Sequence, residues 1–159
     1  MIEKKDLLAW LGRVDRRLSK KITLIAVGGT AMTLLGLKAS TMDIDFCVDS
    51  KDKTLFKESL DEKFRVDIFV DGYIFSEQLP EDYSTIAKPI IEMKHIALKA
   101  LHPLDIITTK TARLNARDEE DIEALSKHVN KEELIKRFDE VIKTYAGNEE
   151  DYRYHFEII

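Results

Sequence analysis

Val27-Gly28-Gly29-Thr30-Ala31, followed by Asp43-Ile44-Asp45-Phe46, is the stretch on which the reading of this chain turns, with thirteen residues between Gly29 and Asp43. A glycine pair opening a helix comes first, and then two carboxylates one residue apart on an apolar segment. If that segment is a β-strand, its side chains alternate in direction. Asp43 and Asp45 then share one face, while Ile44, Phe46 and Val48 pack on the other. Two neighbouring carboxylates repel unless a cation lies between them, and hard oxygen ligands favour Mg²⁺ or Mn²⁺. Glycines at a helix N-terminus give phosphates close access to backbone N–H groups. These parts together describe a site for a metal-bound nucleoside triphosphate.

Outward from this stretch, the spacing of apolar residues sets the elements. Leu7, Leu8, Leu11, Val14 and Leu18 recur at helical intervals over residues 5–19. Residues 22–27 read as a buried strand, 30–37 as a helix ending near Gly36, 38–42 as a polar loop and 43–48 as the carboxylate strand. A short helix is expected over 54–60 and a strand over 64–70, where Asp67 interrupts the apolar alternation and Gly72 follows. Pro80 and Pro89 exclude a long helix between 73 and 101, which leaves a loop and strands near 83–88 and 91–99. Pro103 suits the first position of a helix running to Leu114. A further helix opens at Asp118-Glu119-Glu120-Asp121. Asn130 caps the last, with Leu134, Ile135, Phe138, Val141, Ile142 and Tyr145 as its apolar stripe and Gly147 at its end. The expected fold is α/β (α+β): one domain over 1–159, a mixed sheet flanked by helices at 20–100, and a helical C-terminal portion at 103–159.

Composition bounds the function. The chain has 159 residues, enough to bury a real core, and its 44% hydrophobic content reads as globular. Its charged content is 35%. A net charge of −5 argues against specific or general duplex DNA binding as the main role. The single cysteine, Cys47, excludes an intramolecular disulfide and fits a reducing compartment. No apolar stretch approaches the roughly 20 residues that a membrane span needs. The charged opening residues precede no apolar run of signal-peptide length. A cytoplasmic protein without membrane partners is the expectation.

Asp67, alone within Arg65-Val66-Asp67-Ile68-Phe69, would complete a carboxylate triad if its strand lies beside that of Asp43 and Asp45. All three would then serve as metal ligands, with the third also acting as base toward an attacking hydroxyl. Each part has a plainer explanation: a common glycine turn, a solvated Asp-x-Asp edge, an Asp67 paired with a neighbouring cation. The ordered combination is far rarer than its pieces.

In that order and spacing, Gly28-Gly29, Asp43-Ile44-Asp45-Phe46 and Val66-Asp67-Ile68 resemble the signature of the nucleotidyltransferases of the DNA polymerase β-like superfamily. The segment Asp105-Ile106-Ile107-Thr108-Thr109-Lys110-Thr111-Ala112-Arg113, with Arg117-Asp118 and Asp121-Ile122, is similar to the branch of abortive-infection (AbiEii-like) toxins and their small relatives. The resemblance spans residues 22–130. It implies Mg²⁺- or Mn²⁺-dependent transfer of a nucleoside monophosphate from an NTP to a hydroxyl acceptor on tRNA or other RNA, protein or a small molecule. Asp43, Asp45 and Asp67 would be the catalytic and metal-binding residues. Gly28, Gly29, Thr30, Lys38, Thr41, Lys110 and Arg113 would bind the nucleotide. Lys38 stands where the branch often has arginine, and so lacks its bidentate fork.

Lys110, Arg113 and Arg117 fall at i, i+3 and i+7, one cationic stripe if a single helix carries them. The alternative for the arginines is a solvated face paired with Asp118 or Glu119, and helix capping is the first reading of Asp118 and Asp121. Tyr73 and Phe75 could stack on a base or pack under a loop. The four histidines lack metal-ligand spacing, and Cys47 reads as a small buried thiol. Apolar surface left on the last helix would serve a homodimer, and a toxin would have an antitoxin partner. The competing reading is a non-catalytic relative that binds nucleotide or a protein partner.

Overall fold

A computed structural model describes residues 1–74, 77–143, 150, 153–154 and 157, without the side chains of 77 and 113. Phe75, Tyr145, Gly147 and His155, noted above, lie outside the described residues. In chain order the elements are β1 (Ile2–Glu3), α1 (Lys4–Arg17), β2 (Ile22–Ala26), α2 (Gly28–Leu34), β3 (Ser40–Thr41), β4 (Ile44–Val48), α3 (Lys53–Ser59) and β5 (Val66–Val70). There follow β6 (Tyr73–Ile74), β7 (Glu77–Gln78), α4 (Tyr83–Ile86), β8 (Lys88–Glu92), β9 (Ile96–Ala100), α5 (Pro103–Arg113), α6 (Ala116–Ser126) and α7 (Lys131–Ile142). The mixed α/β class expected from the sequence is the one observed.

The chain divides into two units, each discontinuous in sequence: 1–71 with 87–101, and 72–86 with 102–159. In the first, strands lie in the order β5-β4-β2-β9-β8. β4 runs parallel to β5, β2 runs parallel to β9, and β2 pairs antiparallel with β4. The mixture of directions follows from the connections. β2 reaches β4 through α2 and the short strand β3, whereas β4 returns in parallel to β5 through α3, as a crossover requires.

Alternation on β4 sorts its side chains as the sequence implied. Ile44, Phe46 and Val48 are buried. Trp10 of α1 stacks on Phe46 at 6.5 Å, and Phe56 of α3 meets Phe46 edge-on at 6.0 Å. α1 presents Leu7, Trp10, Leu11 and Val14 to the core, and Arg16 and Arg17 stand in its last turn, complementing its dipole.

The second unit differs from the sequence expectation in three places. Residues 83–86 form a helical turn rather than a strand, because the Asp82 carbonyl accepts from the N–H groups of Thr85 and Ile86. The helix expected from Asp118 starts at Ala116. Asn115 is its cap and Asp118 its third residue, each side chain bonding the other's backbone N–H. Ile135 is 42% exposed and does not belong to the apolar stripe, which among the described residues consists of Leu134, Phe138, Val141 and Ile142. Asn130 caps α7 as expected, accepting from Glu132 and Glu133. The strand expected at 91–99 is two strands, β8 and β9, folded back on each other, the Met93 N–H bonding the Ile96 carbonyl. No helix among the described residues is long and apolar enough to cross a membrane.

Candidate active site

Asp45 and Asp67 are register partners on β4 and β5. Partners on adjacent parallel strands project from the same face, so both carboxylates stand on one side of the sheet. Like charges placed directly opposite destabilise a sheet. Asp43, exposed just ahead of β4, lines a cavity of about 380 Å³ together with Asp67, Lys63, Arg65 and Phe64. Arg65 lies 3.7 Å from Asp67, an exposed pair of small energetic weight.

The glycine turn abuts the same acids. Gly28 has φ +56°, a left-handed conformation that disfavours any side chain, and a Cβ there would stand 3.6 Å from an Asp45 carboxylate oxygen. Gly29 is held to glycine by contact, since a Cβ would come within 2.9 Å of Thr41 Oγ1.

Thr30 is fully buried. Its hydroxyl donates to the Asp43 carbonyl and accepts from the Asp45 N–H, both at 3.0 Å. Val27 N–H already bonds the Asp45 carbonyl where β2 ends. Thr30 therefore continues β4's backbone pairing past the end of β2. The Thr41 hydroxyl donates to the same Asp43 carbonyl at 2.8 Å. The sequence suggested that both threonines contact nucleotide. In this geometry their hydroxyls are engaged in fixing the backbone that carries Asp43 and Asp45. Lys38 is half-buried in the loop between α2 and β3.

The second unit holds the other candidates. Lys110 is buried, with its ammonium 2.9 Å from Asp121 and 3.6 Å from Asp118. α5 ends at Arg113, Leu114 turns left-handed at φ 34°, and α6 starts at Ala116. Arg117 thus lies on a different helix from Lys110, and the three cations form no continuous stripe. The side chain of Arg113 lies outside the described residues.

Sequence reasoning passed over two features. One is the Lys63–Phe64–Arg65 wall of the cavity, which carried no signal beyond its charge. The other is Arg137, buried and bidentate to Asp105 at 2.6 and 2.8 Å, with Asp82 also at 2.6 Å. Its signal was an arginine three residues after Leu134, on the edge of α7's apolar stripe. Burial pushes the Asp105 carboxyl up, and Arg137 opposes that without cancelling it. Burial alone would lower Arg137, but Asp105 and Asp82 outweigh it and hold the guanidinium charged.

A divalent metal suits the donor chemistry of Asp43, Asp45 and Asp67, which is carboxylate oxygen alone. Among the described residues no three His, Cys, Asp or Glu side chains gather at metal-ligating distance. Mg²⁺ does not ask for such a cage, since it keeps several waters and is bound by one or two carboxylates plus substrate phosphates. The residues present fit a hard divalent cation by their donor chemistry.

A family model described as "Nucleotidyltransferase of unknown function (DUF6036)" matches residues 7–159. No curated protein and no solved structure matches the chain.

Proposed function

From the premise that this chain belongs to that nucleotidyltransferase family, we propose that it transfers a nucleoside monophosphate from an NTP to a hydroxyl acceptor. The observation that carries this reading is the register match of Asp45 with Asp67 beside a glycine turn that touches Asp45. Asp43, Asp45 and Asp67 would hold a divalent metal, which when bound would supply charge neutralisation at the phosphates and a more acidic hydroxyl. Gly28 and Gly29, at the start of α2, would present backbone N–H groups to phosphate, and Lys38, in the loop before β3, would balance its charge. The acceptor hydroxyl gives its proton to Asp67, its oxygen forms a bond to the α-phosphorus, and the α–β bridging bond breaks. Pyrophosphate leaves with that electron pair. Thr30 and Thr41 position the acids through the Asp43 carbonyl and the Asp45 N–H.

Label transfer from each of the four α-labelled NTPs to RNA, protein and small-molecule acceptors tests the reaction. The wild type should transfer label in Mg²⁺ or Mn²⁺, and Asp43→Asn with Asp45→Asn should abolish it while the fold is retained. Transfer that survives both substitutions would remove the mechanism. A toxin-like use, as in the AbiEii-like branch, would show as growth arrest on expression that the same double variant relieves.

A second reading, nucleotide binding without transfer, draws on the lack of a three-ligand protein cluster among the described residues. Calorimetry separates the two. Binding of Mg–NTP by a protein that transfers no label to any acceptor favours the second.

A further inference from the structure

Sheet order places the glycine turn and a cationic loop on opposite flanks of the acids. The glycine turn follows β2, on one side of β4, and the cavity wall Lys63–Arg65 precedes β5, on the other. The cavity lined by Asp43 and Asp67 includes no residue of the glycine turn. If the donor phosphates take the turn, the Asp67 side is left for the acceptor. This inference rests on the transferase reading for that assignment.

The wall is built rather than incidental. Asp61 accepts from Trp10 Nε1–H and from the Lys63 backbone N–H, both at 3.1 Å, and faces Arg13 at 3.5 Å. Phe64 packs edge-on against Trp10 at 5.8 Å. Lys63 lies over the Phe64 ring, its Nζ 5.3 Å from the centroid. Asp61 and Phe64 thus anchor the loop to α1, and the two cations stand exposed at the cavity. Ile2 and Met42 add an apolar wall, and Met42 is 63% exposed. A chain of net charge −5 has placed two cations beside two carboxylates in one cavity. Its volume of about 380 Å³ falls within the range of small-ligand pockets. Arg65 stands 3.7 Å from Asp67 in an exposed pair of small energetic weight, which leaves its guanidinium open to a competing anion. The cations point to a second negative group on the incoming molecule.

We propose that Lys63 and Arg65 form a phosphate subsite for the acceptor, so that the hydroxyl offered to Asp67 belongs to a phosphorylated molecule. Phosphate on a free nucleotide and phosphate within a polynucleotide strand share this chemistry.

The test uses the full chain with a saturating non-hydrolysable Mg–NTP analogue filling the donor side. Its probes are adenosine, adenosine 5′-monophosphate, and a short single-stranded RNA. The wild type should bind the monophosphate or the RNA about tenfold more tightly than adenosine, the size expected of a charge-assisted hydrogen bond to phosphate. Lys63→Gln with Arg65→Gln should erase that preference while the Mg–NTP analogue still binds. If the source is a polynucleotide, the salt dependence of RNA binding should also fall, by a slope of about 1.4 for two lost contacts to a single strand. Preference for the monophosphate with no preference for RNA identifies a small acceptor. A preference that survives the double substitution overturns the proposal, as does a wild type with no preference. So does a loss confined to the analogue, which would assign the pair to the donor. Failure of the transferase reading appears separately, as a wild type that binds no Mg–NTP analogue; the probe comparison is still read without it.

Discussion

Thr30 does with one hydroxyl what a neighbouring strand does elsewhere along β4. Replacing it by the isosteric valine leaves the Asp45 N–H and one bond to the Asp43 carbonyl unmet. Thr30→Val should cost about 1–3 kcal/mol, the penalty for unpaired buried polar groups, as read by urea unfolding. On the proposed function it should also lower transfer, because Asp43 and Asp45 sit on the backbone that Thr30 fixes. Unchanged stability would show that the hydroxyl is dispensable. Gly29 sets a companion test. Gly29→Ala drives a methyl into Thr41 Oγ1 and should cost about 1–3 kcal/mol as overpacking. Thr41→Ala removes that clash, so the double variant should be more stable than the sum of the two single losses, by about 0.5–3 kcal/mol. Strict additivity would mean that the contact is not what keeps position 29 a glycine.

Among the elements, α5 and α7 are joined by the buried Arg137–Asp105 pair. Arg137→Met should cost about 3–5 kcal/mol at neutral pH, because it strands the Asp105 carboxylate without its partner. Asp105→Leu added to it should recover most of that loss. The sign of the pH dependence follows from the direction of the Asp105 shift. Its native carboxyl lies above the ordinary 3.8, so the fold favours the protonated form. That contribution is complete below the unfolded value and is lost as pH rises through the native one. Without Arg137 the upward shift grows. Urea midpoints of Arg137→Met should therefore fall more steeply than those of the wild type between about pH 4 and pH 7. Parallel curves would rule this out. On α6, Asn115→Ala should cost about 1 kcal/mol, as loss of a side-chain cap does elsewhere.

At the scale of the molecule, ligand linkage gives the broadest check, since binding to the native state alone raises stability. Mg–NTP at about a hundred times its Kd should add about 2.7 kcal/mol. Trp10, the one tryptophan and buried beside Phe46, is a built-in fluorescence reporter for the unfolding midpoint. The upward shift should vanish with EDTA and in the Asp43→Asn, Asp45→Asn variant. A shift that survives both would place nucleotide somewhere other than the three acids.

Much of this was legible before any coordinates. β2, α2 and β4 are short-range objects: apolar runs of fixed period, a glycine pair where the backbone turns, and an alternation that tells Asp45 from Phe46. Helix ends at Asn130 and Pro103 were legible for the same reason, because caps act within a turn. Residues 83–86 were misjudged because a helical turn that short depends on where the Asp82 carbonyl points, which no periodicity records. The cationic stripe on Lys110, Arg113 and Arg117 failed on one left-handed residue, Leu114.

The amino-acid order by itself determined which side chains could do the chemistry: three carboxylates, a glycine pair, and their sequence along the chain. Only the tertiary structure decided that Asp67 stands opposite Asp45, that Thr30 and Thr41 are tied to the Asp43 backbone, and that Lys63 and Arg65 share a cavity with the acids. Strand register and loop anchoring are set by contacts between residues far apart in the chain, here Trp10 with Asp61 and β4 with β5. A local pattern cannot encode a partner that it does not contain.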